Sequence, residues 1–237
     1  MRAIAPGRVN LIGDHTDYTG GLVFPMAINR HTVIDARFTE DASISLMSAD
    51  EPDVANFAIP VSDIFSLQPQ WARYIAAVAA ECNATRGIVG TVATDIPIGS
   101  GLSSSAALEV ATALALGFDG SAQELAQLAQ RAEHLATGVP TGIMDQLCIS
   151  LAEEHHAMLI DCSTLEVVHS PIPEECKIVV SFIARRTLQG SEYGDRVRQC
   201  NSAESIIGPL RSASIDMLEL IEDATISMRA RHVISEN

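Results

Sequence analysis

Short apolar runs with the alternating pattern of half-buried strands fill the first sixty positions of the chain. A β-branched run at 88–94 has the composition of a strand as well. Two further apolar runs, at 158–161 and 177–183, stand between polar turns. Strands are therefore predicted at 22–28, 32–38, 44–48, 88–94, 158–161 and 177–183.

Helical spacing dominates most of the remaining chain, with helices predicted at 71–82, 106–116, 121–137, 192–207 and 214–231. The clearest is 121–137, where Ser121 and Glu124 form a capping-box pattern and Gly138 ends the helix. One face of it is expected to carry Leu125, Leu128, Ala132 and Leu135. A further apolar helix should follow residues 141–145. Interleaved strands and helices indicate an α+β or α/β protein.

Charge and cysteine content narrow the classes of function. The 237 residues carry 15 Lys plus Arg against 30 Asp plus Glu, a net charge of −15, which disfavours binding to nucleic acids and to anionic membrane surfaces. No run approaches the roughly 18 apolar residues of a membrane span. The five cysteines are scattered and never form a Cys-x-x-Cys pair. This pattern favours reduced thiols and a cytoplasmic location.

The loop at 97–105 contains Gly99, Gly101 and three consecutive serines directly before a predicted helix. Free N–H groups at a helix N-terminus make such a loop a candidate phosphate site, and three serines in a row exceed what capping alone needs. The alternative is a capped helix after a flexible turn. A nucleotide P-loop needs a lysine here, and Lys177 is the only lysine of the chain. Ser104 stands where the dinucleotide fingerprint requires a third glycine.

Two other segments concentrate polar residues. Residues 6–21 combine Arg8, Asp14, His15 and Asp17 with four glycines, which suits a pocket for a ligand with many hydroxyl groups or, alternatively, the polar turn of a hairpin. Asp145 lies near a predicted helix start, where an acid is most often only a partner of the helix dipole.

Residues 7–18 resemble the galactokinase signature of the GHMP small-molecule kinases, and residues 97–107 are similar to the ATP-phosphate motif of that superfamily. Residues 142–146 and 191–193 follow in the family's order. The resemblance implies an α+β GHMP kinase fold. Its N-terminal mixed α/β domain, similar to ribosomal S5 domain 2, would span 1–170, and 171–237 would begin an incomplete C-terminal domain.

The resemblance also implies ATP-dependent phosphorylation of galactose at its anomeric hydroxyl, with ATP and Mg²⁺ as cofactors. Asp145 would orient or accept the hydroxyl proton and Arg8 would keep Asp145 ionised. Sugar ligands would be Asp14, His15, Asp17, Gly142 and Tyr193. The Mg²⁺ ligands would be Ser105 and Glu133. ATP would contact Gly99, Ser100, Gly101, Leu102, Ser103, Ser104, Ser105, Trp71 and Tyr74, and for the two aromatic residues packing against the core is an equal alternative.

Two departures from the family pattern keep alternatives open. Asp14 stands where the family usually has Glu, so another sugar or a cyclitol is a second candidate substrate. Two further alternatives are a non-catalytic sensor that binds sugar and ATP, and a nucleotide-binding dehydrogenase. The family's glycine-rich third motif is absent, so we expect a C-terminal truncation and a poor or inactive kinase from this chain alone.

Overall fold

One eight-stranded mixed sheet forms the frame of the protein in a computed structural model that describes residues 1–183 and 192–237. The strands are β1 (Arg2–Asn10), β2 (Leu22–Val23), β3 (Pro25–Phe38), β4 (Ser43–Ser48), β5 (Ala55–Ala58), β6 (Ile88–Thr94), β7 (His156–Asp161) and β8 (Glu166–Pro171). The path through the sheet is β2-β7-β3-β6-β4-β5, with β1 on β3 and β8 on β7. Of these pairs, β4–β6 is parallel and the others are antiparallel.

The pairing of β1 with β3 shifts register between Pro6 and Arg8. A side chain on Gly7 would meet the carbonyl oxygen of Leu102 at 2.8 Å, so glycine lets the strand approach the loop at 97–103 closely. The amide of Arg8 then donates to that same Leu102 carbonyl at 3.2 Å. This irregularity of the strand therefore brings Arg8 next to the loop.

In the described ranges, six α-helices cover the sheet and extend beyond it: α1 (Ala72–Glu81), α2 (Ser104–Ala115), α3 (Ala122–Thr137), α4 (Met144–Leu151), α5 (Tyr193–Ile207) and α6 (Ala224–Glu236). Helix α2 contacts β1, β3, α1 and α3, and α3 contacts α4. Alanines on α1, α2 and α3 let these helices pack closely around buried isoleucines and leucines of the sheet, including Ile34, Ile44, Leu46 and Ile88. The starts of α2 and α4 are thereby held near β1.

A separate apolar cluster joins α5 and α6 with the residues between them, including Cys200, Leu210, Leu218 and Val233. Tyr18 packs against this cluster from the N-terminal part of the chain. The domain boundary at residue 170 stays a prediction, which the separate cluster supports.

Most of the predicted elements are confirmed, including the α+β class, the strands at 44–48 and 88–94 and the helix at 121–137. Ser121 and Glu124 form the expected capping box, and Gly138 ends α3 with a left-handed φ of 70°. Two predicted strands, 22–28 and 32–38, are largely one long strand, because β1 pairs along almost all of β3. Leu135, which the pattern places on one face of α3 with Leu125 and Leu128, is 42% exposed and lies outside the core cluster.

The predicted strand at 177–183 was also wrong, since the described backbone there forms no strand. Val179 is 83% exposed and Ile183 is 93% exposed. A strand needs a partner to accept and donate its backbone hydrogen bonds, and no described strand pairs with this segment. β-Branched composition alone is therefore not sufficient to form a strand here.

The single helix predicted at 214–231 is two elements. A 3₁₀ helix covers Ile215–Leu220, and α6 begins only after Asp223. The Asp223 carboxylate accepts hydrogen bonds from the amides of Thr225 at 2.8 Å and Ile226 at 3.0 Å. This side-chain cap starts a new helix and separates it from the preceding turn.

All five cysteines lie in the described residues as free thiols, as the sequence predicts. Within the described ranges, no helix combines the length and the apolar character that crossing a bilayer requires.

Replacing Ser121 by Ala should lower the free energy of unfolding by about 1 kcal/mol, because the amide of Glu124 loses its side-chain acceptor. Chemical denaturation measures this change. The control is Gln123→Ala, at an exposed position of the same helical turn, which should change stability by less than about 0.5 kcal/mol. Equal effects of the two substitutions would contradict a stabilising role for the capping box.

Candidate active site

A cavity of about 1070 Å³ brings together residues from β1, from the starts of α1, α2, α4 and α5, and from α3. The predicted site residues that line it are Arg8, Asp14, His15, Asp17, Trp71, Tyr74, Gly99, Gly101, Ser103, Ser104, Ser105, Glu133, Gly142, Asp145 and Tyr193. Two predicted residues do not line it. Leu102 is packed in the core, and the hydroxyl of Ser100 donates to the carbonyl of Pro97 at 2.6 Å.

Asp145 lies in the first turn of α4 with both carboxylate oxygens engaged. Its Oδ1 accepts from Nε of Arg8 at 2.6 Å and contacts Nη2 of Arg8 at the same distance. Its Oδ2 accepts a short hydrogen bond from the hydroxyl of Ser103. These contacts hold the carboxylate in one orientation at the cavity wall.

Arg8 links this carboxylate to the glycine loop, because its Nη1 donates to the carbonyl of Gly101 at 2.8 Å. Burial opposes the charge of the guanidinium, but attraction to Asp145 and the hydrogen bond to it raise the pKa of Arg8 above its ordinary value. Arg8 is thus a permanent positive charge between the loop and Asp145.

Helix α2 begins without a side-chain cap. Ser103, in the capping position, has a left-handed backbone with φ of 59°, and its hydroxyl bonds to Asp145 instead of to the helix amides. Gly99 and Gly101, with φ of 75° and 79°, turn the loop into this helix. The first-turn amides of α2 therefore lack a side-chain acceptor, and Ser104 and Ser105 of this turn line the cavity. Such a helix start suits an anionic group.

Glu133 is 5% exposed and faces the same helix start. Its Oε1 accepts from the hydroxyl of Ser105 at 3.0 Å, while its Oε2 accepts from the hydroxyl of Thr141 at 2.9 Å. Burial, and then repulsion by Asp145, raise the pKa of Glu133. A cation next to the carboxylate would relieve both unfavourable effects.

Ser105 and Glu133 fit a magnesium ion as two of its ligands. Their 3.0 Å oxygen separation matches neighbouring positions of an octahedron with Mg–O bonds of about 2.0–2.1 Å, and Mg²⁺ commonly uses one or two carboxylates together with substrate phosphates and water. In the described part of the chain, no group of three or more His, Cys, Asp or Glu side chains could hold a metal ion. The protein alone would therefore supply only part of the coordination.

A second carboxylate, Glu109 on α2, is fully buried behind Glu133. The side-chain amide of Gln146, which directly follows Asp145, donates to Glu133 at 2.9 Å and to Glu109 at 3.3 Å. Burial, and then the charge of Glu133, raise the pKa of Glu109 well above its ordinary value. Gln146 thus connects α2, α3 and α4 directly behind the cavity wall.

Asp17 approaches the Asp145 side of the cavity from the segment between β1 and β2. Its carboxylate lies so close to the backbone of Gly142 that any side chain at position 142 would collide with it. Burial, and then repulsion by Asp145, raise the pKa of Asp17 to about 7. The hydroxyl of Tyr193 accepts from the amide of Gly142 at 3.4 Å. Asp17, Gly142 and Tyr193 therefore form one wall of the cavity.

His15 and Asp14 lie at the same end of the cavity. The Nε2 of His15 lies 3.1 Å from Nη1 of Arg196, and its Nδ1 lies 3.0 Å from the hydroxyl of Tyr18. Burial, and then the charge of Arg196, lower the pKa of His15, so its ring is neutral at physiological pH. Asp14 is exposed and accepts from the side-chain amide of Asn10 at 3.0 Å.

Trp71 and Tyr74 contact both the core and the cavity. The indole nitrogen of Trp71 is buried, and within the described residues it has no hydrogen-bond partner. A buried donor without an acceptor is unfavourable unless a ligand or water satisfies it. This geometry is compatible with both alternatives for the aromatic pair, namely contact with ATP and packing against the core.

The sequence analysis missed Arg196, Glu109 and Gln146. Arg196 lies one helical turn after Tyr193, so helical spacing could have placed both on one face of α5. Glu109 is the only charged residue within the helix predicted at 106–116, a signal for a buried polar contact. Gln146 belongs to the 142–146 motif but had no assigned role.

Two family models match the chain. The galactokinase galactose-binding signature matches residues 1–38, and the GHMP kinases N terminal domain matches residues 72–153.

Similar proteins include galactokinases from Canis lupus familiaris, at 41% identity over 98% of this chain and 64% of that protein, and Chloroflexus aurantiacus, at 41% over 99% and 65%. The human galactokinase is 39% identical over 98% of this chain and 64% of its own length. The chain thus spans about 64% of the length of these curated relatives.

Solved structures show the same likeness. A Lactococcus lactis galactokinase complexed with galactose superimposes with a TM-score of 0.87 at 30% identity, covering 100% of this chain and 66% of that one. A mevalonate kinase with a TM-score of 0.59 and 17% identity shares the fold over 99% of this chain and 71% of its own. From these matches and the arrangement of the cavity, the chain belongs to the galactokinase family of the GHMP kinases.

Proposed function

We propose that the protein containing this sequence transfers the γ-phosphoryl group of ATP to the anomeric hydroxyl of galactose. The observation that carries the proposal is the Arg8 contact to both Asp145 and Gly101, which joins a candidate acceptor site to a candidate phosphate site. Family membership and the galactose-complexed relative support this choice of substrates.

The sugar would bind between Asp17, Gly142 and Tyr193, with Asp14 and His15 at the same end of the cavity. An ionised Asp17 accepts two or more sugar hydroxyls, and Asp145 accepts the anomeric hydroxyl in place of the Ser103 hydroxyl. This binding mode gives a reason for the close approach of Asp17 and Asp145. Without a sugar, burial and then this approach raise the pKa of Asp17. Sugar hydroxyls supply the hydrogen bonds that favour the charged carboxylates.

Triphosphate would lie over Gly99, Gly101 and the serines at the start of α2, with adenine near Trp71 and Tyr74. Ser105 and Glu133 would hold Mg²⁺, which when bound offsets the negative charge of the phosphates. The sugar oxygen attacks the γ-phosphorus, the bond to the β-phosphate oxygen breaks, and ADP leaves. Asp145 orients the hydroxyl and takes its proton, while Arg8 stabilises the charge that develops beside it.

The direct test is to measure ADP release by the full-length protein with galactose, an N-acetyl sugar, a pentose and a cyclitol as separate acceptors. Release that depends on galactose supports the proposal. Faster turnover of another acceptor would assign the site to a related GHMP kinase activity. ATP and sugar binding without turnover would indicate a sensor.

Substitution of Asp145 by Asn should reduce turnover by about 10²–10⁴-fold and leave ATP affinity nearly unchanged. The amide cannot accept the proton, but its oxygen can still accept from Arg8 and its NH2 group can donate to the Ser103 hydroxyl, so the loop keeps its contacts. Steady-state kinetics and nucleotide titration measure the two effects, with Asp53→Asn as an exposed control outside the cavity. Retention of most of the turnover would contradict the assigned role.

Asp17→Asn should stabilise the protein without ligand more at about pH 8 than at about pH 5. The pKa of Asp17 rises from 3.8 to about 7 on folding, so the native protein loses stability from this group as the pH rises through that interval. Asparagine removes this dependence, and denaturation at both pH values with Asp53→Asn as control measures it. The same change should weaken sugar binding far more than ATP binding. A difference in stability that does not change with pH would contradict the shifted pKa.

Ser105→Ala should raise several-fold the Mg²⁺ concentration needed to stabilise the ATP complex, because one of two protein oxygens near the metal is lost. Thermal unfolding at saturating ATP during a Mg²⁺ titration measures this effect without an activity assay. Ser62→Ala is an exposed control. An unchanged Mg²⁺ dependence would remove Ser105 from the proposed ligands.

A further inference from the structure

The segment between β1 and β2, residues 11–21, carries Asp14, His15 and Asp17 and is partly closed by its own hydrogen bonds. The hydroxyl of Thr16, fully buried at the centre of the segment, lies 2.8 Å from the carbonyl of Gly13 and 2.6 Å from the carbonyl of Leu22, which share its single proton. The carbonyl of Thr16 accepts from the amides of Thr19 and Gly21. The amides of Gly13, Asp14 and Leu22 take no part in these bonds and donate to residues from elsewhere in the protein.

The last two residues of the sequence satisfy those three amides. Oε1 of Glu236 accepts from the amides of Gly13 at 2.9 Å and Asp14 at 3.2 Å. Oδ1 of Asn237 accepts from the amide of Leu22 at 2.7 Å, and its Nδ2 donates to the carbonyl of Arg211 at 3.2 Å. More than 210 residues of sequence separate Glu236 and Asn237 from the three amides that donate to them.

These contacts are specific to the positions involved. Gly13 is buried with a φ of 98°, so without Glu236 its amide would lack an acceptor away from solvent. At Gly21, a side chain would collide with the carboxamide of Asn237. A carboxylate at the C-terminal end of a helix is also unfavourable for the helix dipole, and the two amide donors offset that cost for Glu236.

We infer that Glu236, assisted by Asn237, is a positioning residue that holds the 11–21 segment in its sugar-binding arrangement. Glu236 does not line the cavity, so it acts through the backbone that bears Asp14, His15 and Asp17. His232 adds a contact from the same helix, with its Nε2 3.1 Å from the carbonyl of Asp14. The sugar-binding part of this inference rests on the proposed function, whereas the backbone clamp does not.

Amide hydrogen exchange tests the clamp itself in the full-length protein. Glu236→Ala should accelerate exchange at Gly13 and Asp14 by about tenfold or more, the loss expected when a hydrogen bond to a charged group is removed. Exchange in β3 should stay unchanged. Glu236→Gln keeps a carbonyl oxygen in place and should restore part of the protection. Glu222→Ala, at an exposed position before α6 whose side chain makes no hydrogen bond to any described residue, is the control.

Kinetics tests the consequence for binding. Glu236→Ala should raise the KM for galactose by about tenfold while the KM for ATP and kcat change little, and Glu236→Gln should fall between Glu236→Ala and the wild type. Unchanged exchange at Gly13 and Asp14, or an equal rise in both KM values, would overturn the inference. If the wild type does not phosphorylate galactose, the proposed function fails, and the exchange measurement alone still decides whether the clamp exists.

Discussion

The ion pair between Arg8 and Asp145 is the interaction on which the site depends. The acidic side chains that line the cavity or lie directly behind it include the exposed Asp14 and a group of four that are buried or half-buried, namely Asp17, Glu109, Glu133 and Asp145, in a protein of net charge −15. Arg8, whose side chain is 12% exposed, is the cation that contacts Asp145, whereas burial and then repulsion by a neighbouring acid raise the pKa of each of the other three in that group. The protein therefore tolerates electrostatic strain that a bound cation and sugar hydroxyls would relieve.

The backbone at the start of α2 is also shaped by a contact with Asp145. A serine in the capping position normally bonds to the amides of its own helix, and Ser103 instead bonds to Asp145 from a left-handed conformation. The helix gives up the stabilisation of a cap and keeps its first amides available. The Ser103 hydroxyl thereby orients the carboxylate of the candidate acceptor site and leaves the amides of the candidate phosphate site without a side-chain acceptor.

Sequence patterns predicted the elements that depend on contacts within a few residues. They failed for segments and side chains that depend on a partner far away in the sequence. Ser121, Glu124 and Gly138 bound α3 through contacts within a few residues, so the pattern was sufficient. The segment at 177–183 has strand composition, but a strand also requires a neighbour, which composition does not reveal. Within the candidate site, Arg8 and Asp145 were predicted because the segments around them resemble motifs of a known family. Glu236 could not be predicted, because its partners Gly13 and Asp14 lie more than 220 positions away in the sequence.

Hydrogen bonds to the buried acids behind the cavity fix the positions of α2, α3 and α4 relative to the site. Glu109 and Glu133 approach each other with raised pKa values, and the amide of Gln146 donates to both of them. An apolar contact of the same size would avoid the cost of burying carboxylates, but it would let α2, α3 and α4 shift along one another. Hydrogen bonds fix orientation as well as distance. Since Gln146 is adjacent to Asp145, and Glu133 bonds to Ser105, this network sets the positions of the acceptor carboxylate and of the candidate metal ligands through one shared side chain.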